Sequence, residues 1–201
     1  MKSVGRPAGV DSSATRAAIL ASAQRLFARQ GYSETTITDI ARDAGLTPPA
    51  VHFHFQDKRS IFEVVFRRMN DANYGDAERT VLAATSFAEK VTALLESVMR
   101  SMRHESDLAD FIATAPIEVR RHLVLNHLAD DRRWPDLYAH IVRAGVEEGS
   151  IAADDEASTR GVVSAMMFGI AQVGAAVSPR QRQSLVHGFE RLFAGEVISP
   201  D

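Results

Sequence analysis

Glu118 and His122 stand four residues apart in a stretch of helical periodicity, so one helix face would carry a carboxylate beside an imidazole. Such a pair can move a proton, which is the one opening for a small-molecule enzyme; the favoured reading is a structural or surface hydrogen bond. Nothing else in the chain supports catalysis. There is no HExxH, no phosphate-binding loop, no nucleophile elbow and no cysteine. The missing cysteines also exclude a disulfide framework and thiolate metal or redox sites. His52 and His54 are not a metal pair, because residues two apart leave a helix on different sides. Neither a metal nor a cofactor is expected.

Charge is distributed unevenly. The net charge of −3 argues against general nucleic-acid affinity. Yet residues 1–70 hold ten Lys/Arg against six Asp/Glu, leaving thirteen against twenty in residues 71–201. A basic head on an acidic body suits DNA contact at one end only. The 45% apolar content over 201 residues is that of a folded soluble chain with a real core. No apolar run is long enough to span a bilayer and residues 1–13 lack the apolar centre of a signal peptide, so a cytoplasmic protein without membrane contact is expected.

Apolar periodicity is helical almost throughout, which predicts an all-α fold. A flexible basic arm is expected over 1–10. A first helix over about 13–30 aligns Ile19, Ala23, Leu26 and Phe27 and stops at Gly31. Thr36-Ile-Thr-Asp39 has the form of a capping box opening a short helix that Gly45 ends. Thr47 is expected to cap a third helix with Pro48 in its first position, and Val51 and Phe55 face inward. Successive helical residues diverge by about 100°, so Phe53 and Phe55 cannot both be core. A fourth helix follows Asp57, with Ile61, Phe62, Val65, Phe66 and Met69 on its buried side. Beyond it, helices are predicted over 86–104, 107–115, 117–128, 135–148, 155–177 and 180–194, with Pro116 opening one of them.

Two short capped helices around a tight glycine turn, flanked by amphipathic helices, have the layout of a helix-turn-helix unit. The stretch Leu26–Phe66, LFARQGYSETTITDIARDAGLTPPAVHFHFQDKRSIFEVVF, resembles the N-terminal domain of the tetracycline-repressor (TetR) family of bacterial regulators. Gly31-Tyr32, Thr36, Ile40-Ala41, Ala44-Gly45, His54-Phe55 and Lys58 carry the likeness, with Gly5-Arg6-Pro7 in the arm. It implies a helix-turn-helix DNA-binding domain over 11–70 and a larger helical effector-binding and dimerisation domain over 71–201.

Position by position, the resemblance makes Thr47–His54 the DNA-binding recognition helix, Thr47 opening it and Pro48, Pro49, Ala50 and Phe53 lying nearest the bases. Thr36, Thr38, His52, His54 and Lys58 would contact the DNA backbone and Arg6 the minor groove. Hydroxyl, imidazole and ammonium donors suit phosphate oxygens, whereas prolines and alanine offer the bases only apolar contact and shape. His52 stands where many members of the family carry tyrosine, which puts that phosphate contact in doubt.

The same likeness implies a homodimer on a (pseudo)palindromic double-stranded operator, released by a small organic effector. Val162, Met166, Ile170, Val173, Val177, Leu185, Phe189 and Phe193 are the expected dimer face. Met99, Met102, Phe111, Trp134, Tyr138 and Met166 are the expected effector contacts.

Overall fold

The computed structural model describes residues 10–101 and 106–193. Arg6 and Met102 lie outside them, as does the side chain of Phe193. Every element formed among the described residues is helical, in the order α1 (Val10–Glu34), α2 (Ile37–Asp43), α3 (Pro48–His54), α4 (Lys58–Ala83), α5 (Phe87–Ser101), α6 (Ser106–Arg121), α7 (Arg133–Glu147), α8 (Glu156–Ala176) and α9 (Pro179–Phe193). Two 3₁₀ segments, Leu123–Asp130 and Ala153–Asp155, join α6 to α7 and α7 to α8. None of these helices is long and apolar enough to cross a membrane.

Local chemistry fixes the head. Gly31 breaks α1 with φ 78° and ψ 174°, a backbone region essentially closed to other residues. Thr36 and Asp39 close the reciprocal box at the start of α2: the Asp39 N–H donates to Thr36 Oγ1 at 3.1 Å and the Thr36 N–H to Asp39 Oδ2 at 3.3 Å. At the other end Gly45 takes φ 69°. The Leu46 N–H then reaches the Ala41 carbonyl (2.8 Å) and the Gly45 N–H that of Arg42 (3.2 Å), the paired bonds that end a helix tightly. An Arg25–Asp43 ion pair at 2.6 Å ties α2 back to α1. Thr47 sits in extended geometry before Pro48, but its hydroxyl makes no capping bond, contrary to expectation; Pro48 at the first helical position leaves one fewer N–H to satisfy.

Two apolar clusters follow. One gathers Ile19, Phe27, Ile40, Val51, Phe55 and Phe62 from the head, and Phe111, Ala115, Val119, Leu125 and Leu128 from beyond it. The Phe62 ring lies 5.1 Å from Phe27 edge-on and 5.7 Å from Phe111, so the head's core is completed by α6. Each such buried ring stabilises by roughly 2 kcal/mol. The second cluster, with Val91, Leu94, Leu95, Ile141, Val163 and Ile170, holds α4, α5, α7 and α8 together.

Three expectations are corrected. The fourth helix continues to Ala83, well past the last apolar residue expected on it. Pro116 lies inside α6 and does not open a helix. Phe111, Ala115 and Val119, spaced by four, all enter the head's core and hold the helix continuous across the proline. Beside Pro116, the Ala113 carbonyl accepts Gln172 Nε2 from α8. Finally, residues expected to be α-helical to 128 form the 3₁₀ segment, whose period of three aligns Leu125 with Leu128 toward the same core.

Candidate nucleic-acid interface and adjoining cavity

α3 buries only Val51 of its seven residues. Phe55, just after it, is buried beneath the Arg16 guanidinium (4.8 Å), whereas Phe53 is 82% exposed, with the His54 ring edge-on to it at 5.2 Å. A phenyl group so fully turned to water, near the end of a short helix that buries one residue, leaves a large apolar surface open to a partner. Thr38, Thr47, Pro49 and His52 are exposed as well; Pro48, Ala50 and His54 are half-buried. Together they form one outward surface.

Two of the expected phosphate contacts have other employment. The Thr36 hydroxyl donates to Asp39 Oδ2 at 2.6 Å, and this bond is the main reason the Asp39 carboxyl is held below its ordinary range. Lys58 Nζ donates to the carbonyls of Tyr32 (2.6 Å) and Ser33 (3.2 Å) and lies 4.4 Å over the Tyr32 ring. Burial lowers its pKa, opposed by Glu34 and Glu118. Lys58 therefore caps the end of α1, with one donor left for a phosphate.

On the far side of that end, Glu118 Oε2 accepts the Tyr32 N–H at 3.1 Å and pairs with His122 Nε2 at 3.1 Å, while His122 meets Ser33 Oγ at 3.2 Å. The pair singled out in the sequence is thus a strut from α6 to the head.

A cavity of about 590 Å³ opens beside this strut. α4 gives it Phe66, Met69, Asn70 and Asn73; α6 gives Pro116, Val119 and Arg120; Trp134 and Tyr138 come from α7, Met167 and Phe168 from α8. Of the residues expected to contact an effector, Trp134 and Tyr138 line this cavity, whereas Met99, Phe111 and Met166 are packed in a core, Phe111 in the head's and the two methionines in the body's. Asn70 and Asn73 were missed, although polar residues on the stripe that runs through Phe66 and Met69 signal a wall that is not solid core. Trp134 Nε1 donates to Asn70 Oδ1 (2.7 Å), and Asn70 Nδ2 to Asp131 Oδ2 (2.8 Å), so the indole is hydrogen-bonded to α4. Burial alone pushes the Tyr138 hydroxyl up to about 12. Among the described residues, no group of three or more His, Asp or Glu could hold a metal.

The expected dimer face divides. Met166 and Ile170 point into the subunit's own core, and Phe189 packs against that core. Val162 (57% exposed) and Val173 (45%) remain outside, with Leu192 exposed on α9. Val177 and Leu185 are half-buried.

Comparison with known proteins agrees with this geometry. Residues 19–65 match the model of the bacterial regulatory proteins of the tetR family. The transcriptional repressor KstR2 of Mycolicibacterium smegmatis is 29% identical over 152 residues, covering 68% of this chain and 67% of that protein. The repressor BepR of Brucella suis is 41% identical over 58 residues, only 29% of this chain and 28% of its own length. AibR, solved in complex with isovaleryl coenzyme A and operator DNA, superposes with a TM-score of 0.74 over 89% of this chain and 97% of that one, at 17% identity. The head that carries the exposed α3 thus matches the tetR family of bacterial regulatory proteins over residues 19–65, and the helical body shares its fold with AibR.

Proposed function

We propose that the protein is a homodimeric, sequence-specific repressor of transcription, released from a (pseudo)palindromic operator when a small organic effector fills the cavity. It acts in the cytoplasm and catalyses no reaction. The observation that carries the reading is that α4 and α6 each run from the head's core to the cavity wall, so whatever occupies the cavity touches the same two helices that pack on α1 and complete the core into which α3 sends Val51. The AibR complex, with both kinds of partner bound, supports it by fold alone.

In this reading Phe53, Pro49 and Ala50 face the bases, with Thr38, Thr47, His52 and His54 supplying donors to phosphate and the remaining N–H of Lys58 assisting. Val162 and Val173 on α8 and Leu192 on α9 meet their symmetry mates, because a single short α3 reads too few base edges for specificity. Effector binding tilts α4 and changes the spacing of the two α3 helices. By linkage, operator DNA weakens effector binding by the same factor.

Selection of bound sequences from a random DNA pool tests it. A palindromic motif is expected, changed in sequence by Phe53→Ala and weakened evenly by His52→Ala. Failure to enrich any sequence even at low salt, where phosphate contacts are strongest, overturns the reading.

A further inference from the structure

Among the residues lining the cavity, two carry charge, Arg120 and Asp131. Asp131 is already neutralised: Arg133 Nη2 donates to it at 2.6 Å and Arg133 Nε at 3.0 Å, and Asn70 adds a third donor. Hydrogen bonds from Arg133 hold its carboxyl below the ordinary range. Arg120 has no such answer. It is exposed at the opening, lies 5.8 Å over the exposed Phe168 ring and makes no ion pair with any described acidic residue. Deeper in, the Tyr138 hydroxyl has no protein hydrogen-bond partner among the described residues, and burial keeps it protonated and therefore a donor. Most of the remaining wall is apolar, built by Phe66, Met69, Val119, Leu128 and Met167, with Asn73, Ser97, Ser101 and Ser164 among its uncharged polar members.

A largely apolar chamber with a cation that no described acid pairs with and a further donor from Tyr138 has a definite complement. We infer that the effector is an amphipathic organic anion, whose apolar body fills the chamber, whose carbonyl or carboxyl oxygen accepts from Tyr138, and whose negative charge pairs with Arg120. The inference rests on the ligand-released reading above. An organic cation is the contrary class: the aromatic walls would attract it, but Arg120 repels it and Asp131 is occupied. A free carboxylate and the phosphates of a coenzyme A thioester would both satisfy Arg120; at about 590 Å³ the chamber takes the acyl part of a thioester and leaves the nucleotide outside.

The chain has one tryptophan, Trp134, and it lines the cavity, so its fluorescence reports occupancy directly. The full-length protein is titrated with butanoate, octanoate, palmitate and benzoate, with their coenzyme A thioesters, with the matching alcohols and with choline. At least one anion is expected to give a saturable change, with its alcohol binding about tenfold or more weaker, the usual worth of a charge-assisted bond. Acid and thioester arms tell a carboxylate from a phosphate source. In Arg120→Gln the preference for the anion over its alcohol disappears, while the alcohol still perturbs Trp134, which also shows that the variant is folded. Alcohols or choline binding as tightly as the anions, no response to any anion, or an Arg120→Gln variant that keeps the preference overturns the proposal. Operator release is read separately by anisotropy of labelled DNA. Anion binding without release refutes the ligand-released repressor and spares the ligand class; release by choline or alcohols alone does the reverse.

Discussion

The Glu118 carboxylate accepts the Tyr32 backbone N–H at 3.1 Å across 86 positions of sequence, joining the middle of the chain to the end of the first helix. Glu118 is only 12% exposed, so the N–H it satisfies has little water to turn to. Glu118→Ala is expected to cost about 1–3 kcal/mol in urea unfolding, the penalty of an orphaned donor. Glu118→Gln keeps an acceptor and is expected to cost less. Equal losses would mean that the negative charge of Glu118, which attracts Lys58, matters more than its bond to the Tyr32 N–H.

Phe53 and Lys58 separate reading from holding. Phe53→Ala removes an exposed ring and is expected to change stability by no more than about 0.5 kcal/mol while altering the bound DNA sequence. Lys58→Met, by contrast, strips two carbonyls of their donor and is expected to destabilise the DNA-free protein by about 1–2 kcal/mol. Thermal unfolding without DNA distinguishes them; an unaffected Lys58→Met protein would show that its carbonyl contacts contribute nothing.

Gly31→Ala is expected to cost about 1–3 kcal/mol although its Cβ would meet nothing closer than 3.6 Å, because the strain is in the backbone. Asparagine, which tolerates the left-handed helical region, should give no relief at ψ 174°. A Gly31→Asn protein as stable as the parent would contradict the backbone geometry described.

How much of this the sequence disclosed varies by region. Thr36, Gly45, Pro48 and Asp57 punctuate the head with strong local signals, and the exposure of one of Phe53 and Phe55 followed from helix geometry alone. Pro116 misled because a local breaker was outvoted by Phe111, Ala115 and Val119, whose common face becomes meaningful only against the head's core. The cavity was half-legible: aromatic residues in the middle helices marked it, but whether Met99 or Met167 reaches it depends on helix rotation, which tertiary packing sets. Arg120 and Asp131 could not be told apart as free and neutralised charges until Arg133 was placed. Met166 and Ile170 look like interface residues on an apolar helix, and only the position of α8 shows them used internally.

Glu89 gives a pH signature. Its Oε2 accepts from Thr85 Oγ1 (2.6 Å) and from the N–H groups of Thr85 (2.9 Å) and Ser86 (3.1 Å) before α5. The Thr85 hydroxyl first, then these amides, hold its pKa down to about 2 from 4.5. The unfolded chain therefore takes up this proton first, so the contribution is complete above about 4.5 and is lost as pH falls through 2. Glu89→Gln is expected to lower Tm at neutral pH, with the gap closing across that acidic window. A gap independent of pH would assign the effect to packing.

α4 is a single unbroken rod of 26 residues, roughly 39 Å at 1.5 Å per residue. Three residues separate its start from the exposed helix α3, and Phe66, Met69, Asn70 and Asn73 along its middle form cavity wall. A stiff rod behaves as a lever: a tilt of about 5° about one end swings the other sideways by roughly 3 Å, whichever chemical group applied the push. Output is geared to the rod and input to the wall. Side chains such as Asn73 or Met167 can therefore be exchanged to admit a different molecule without rebuilding the α3 end of the rod, and the direction of the mechanical response stays the same.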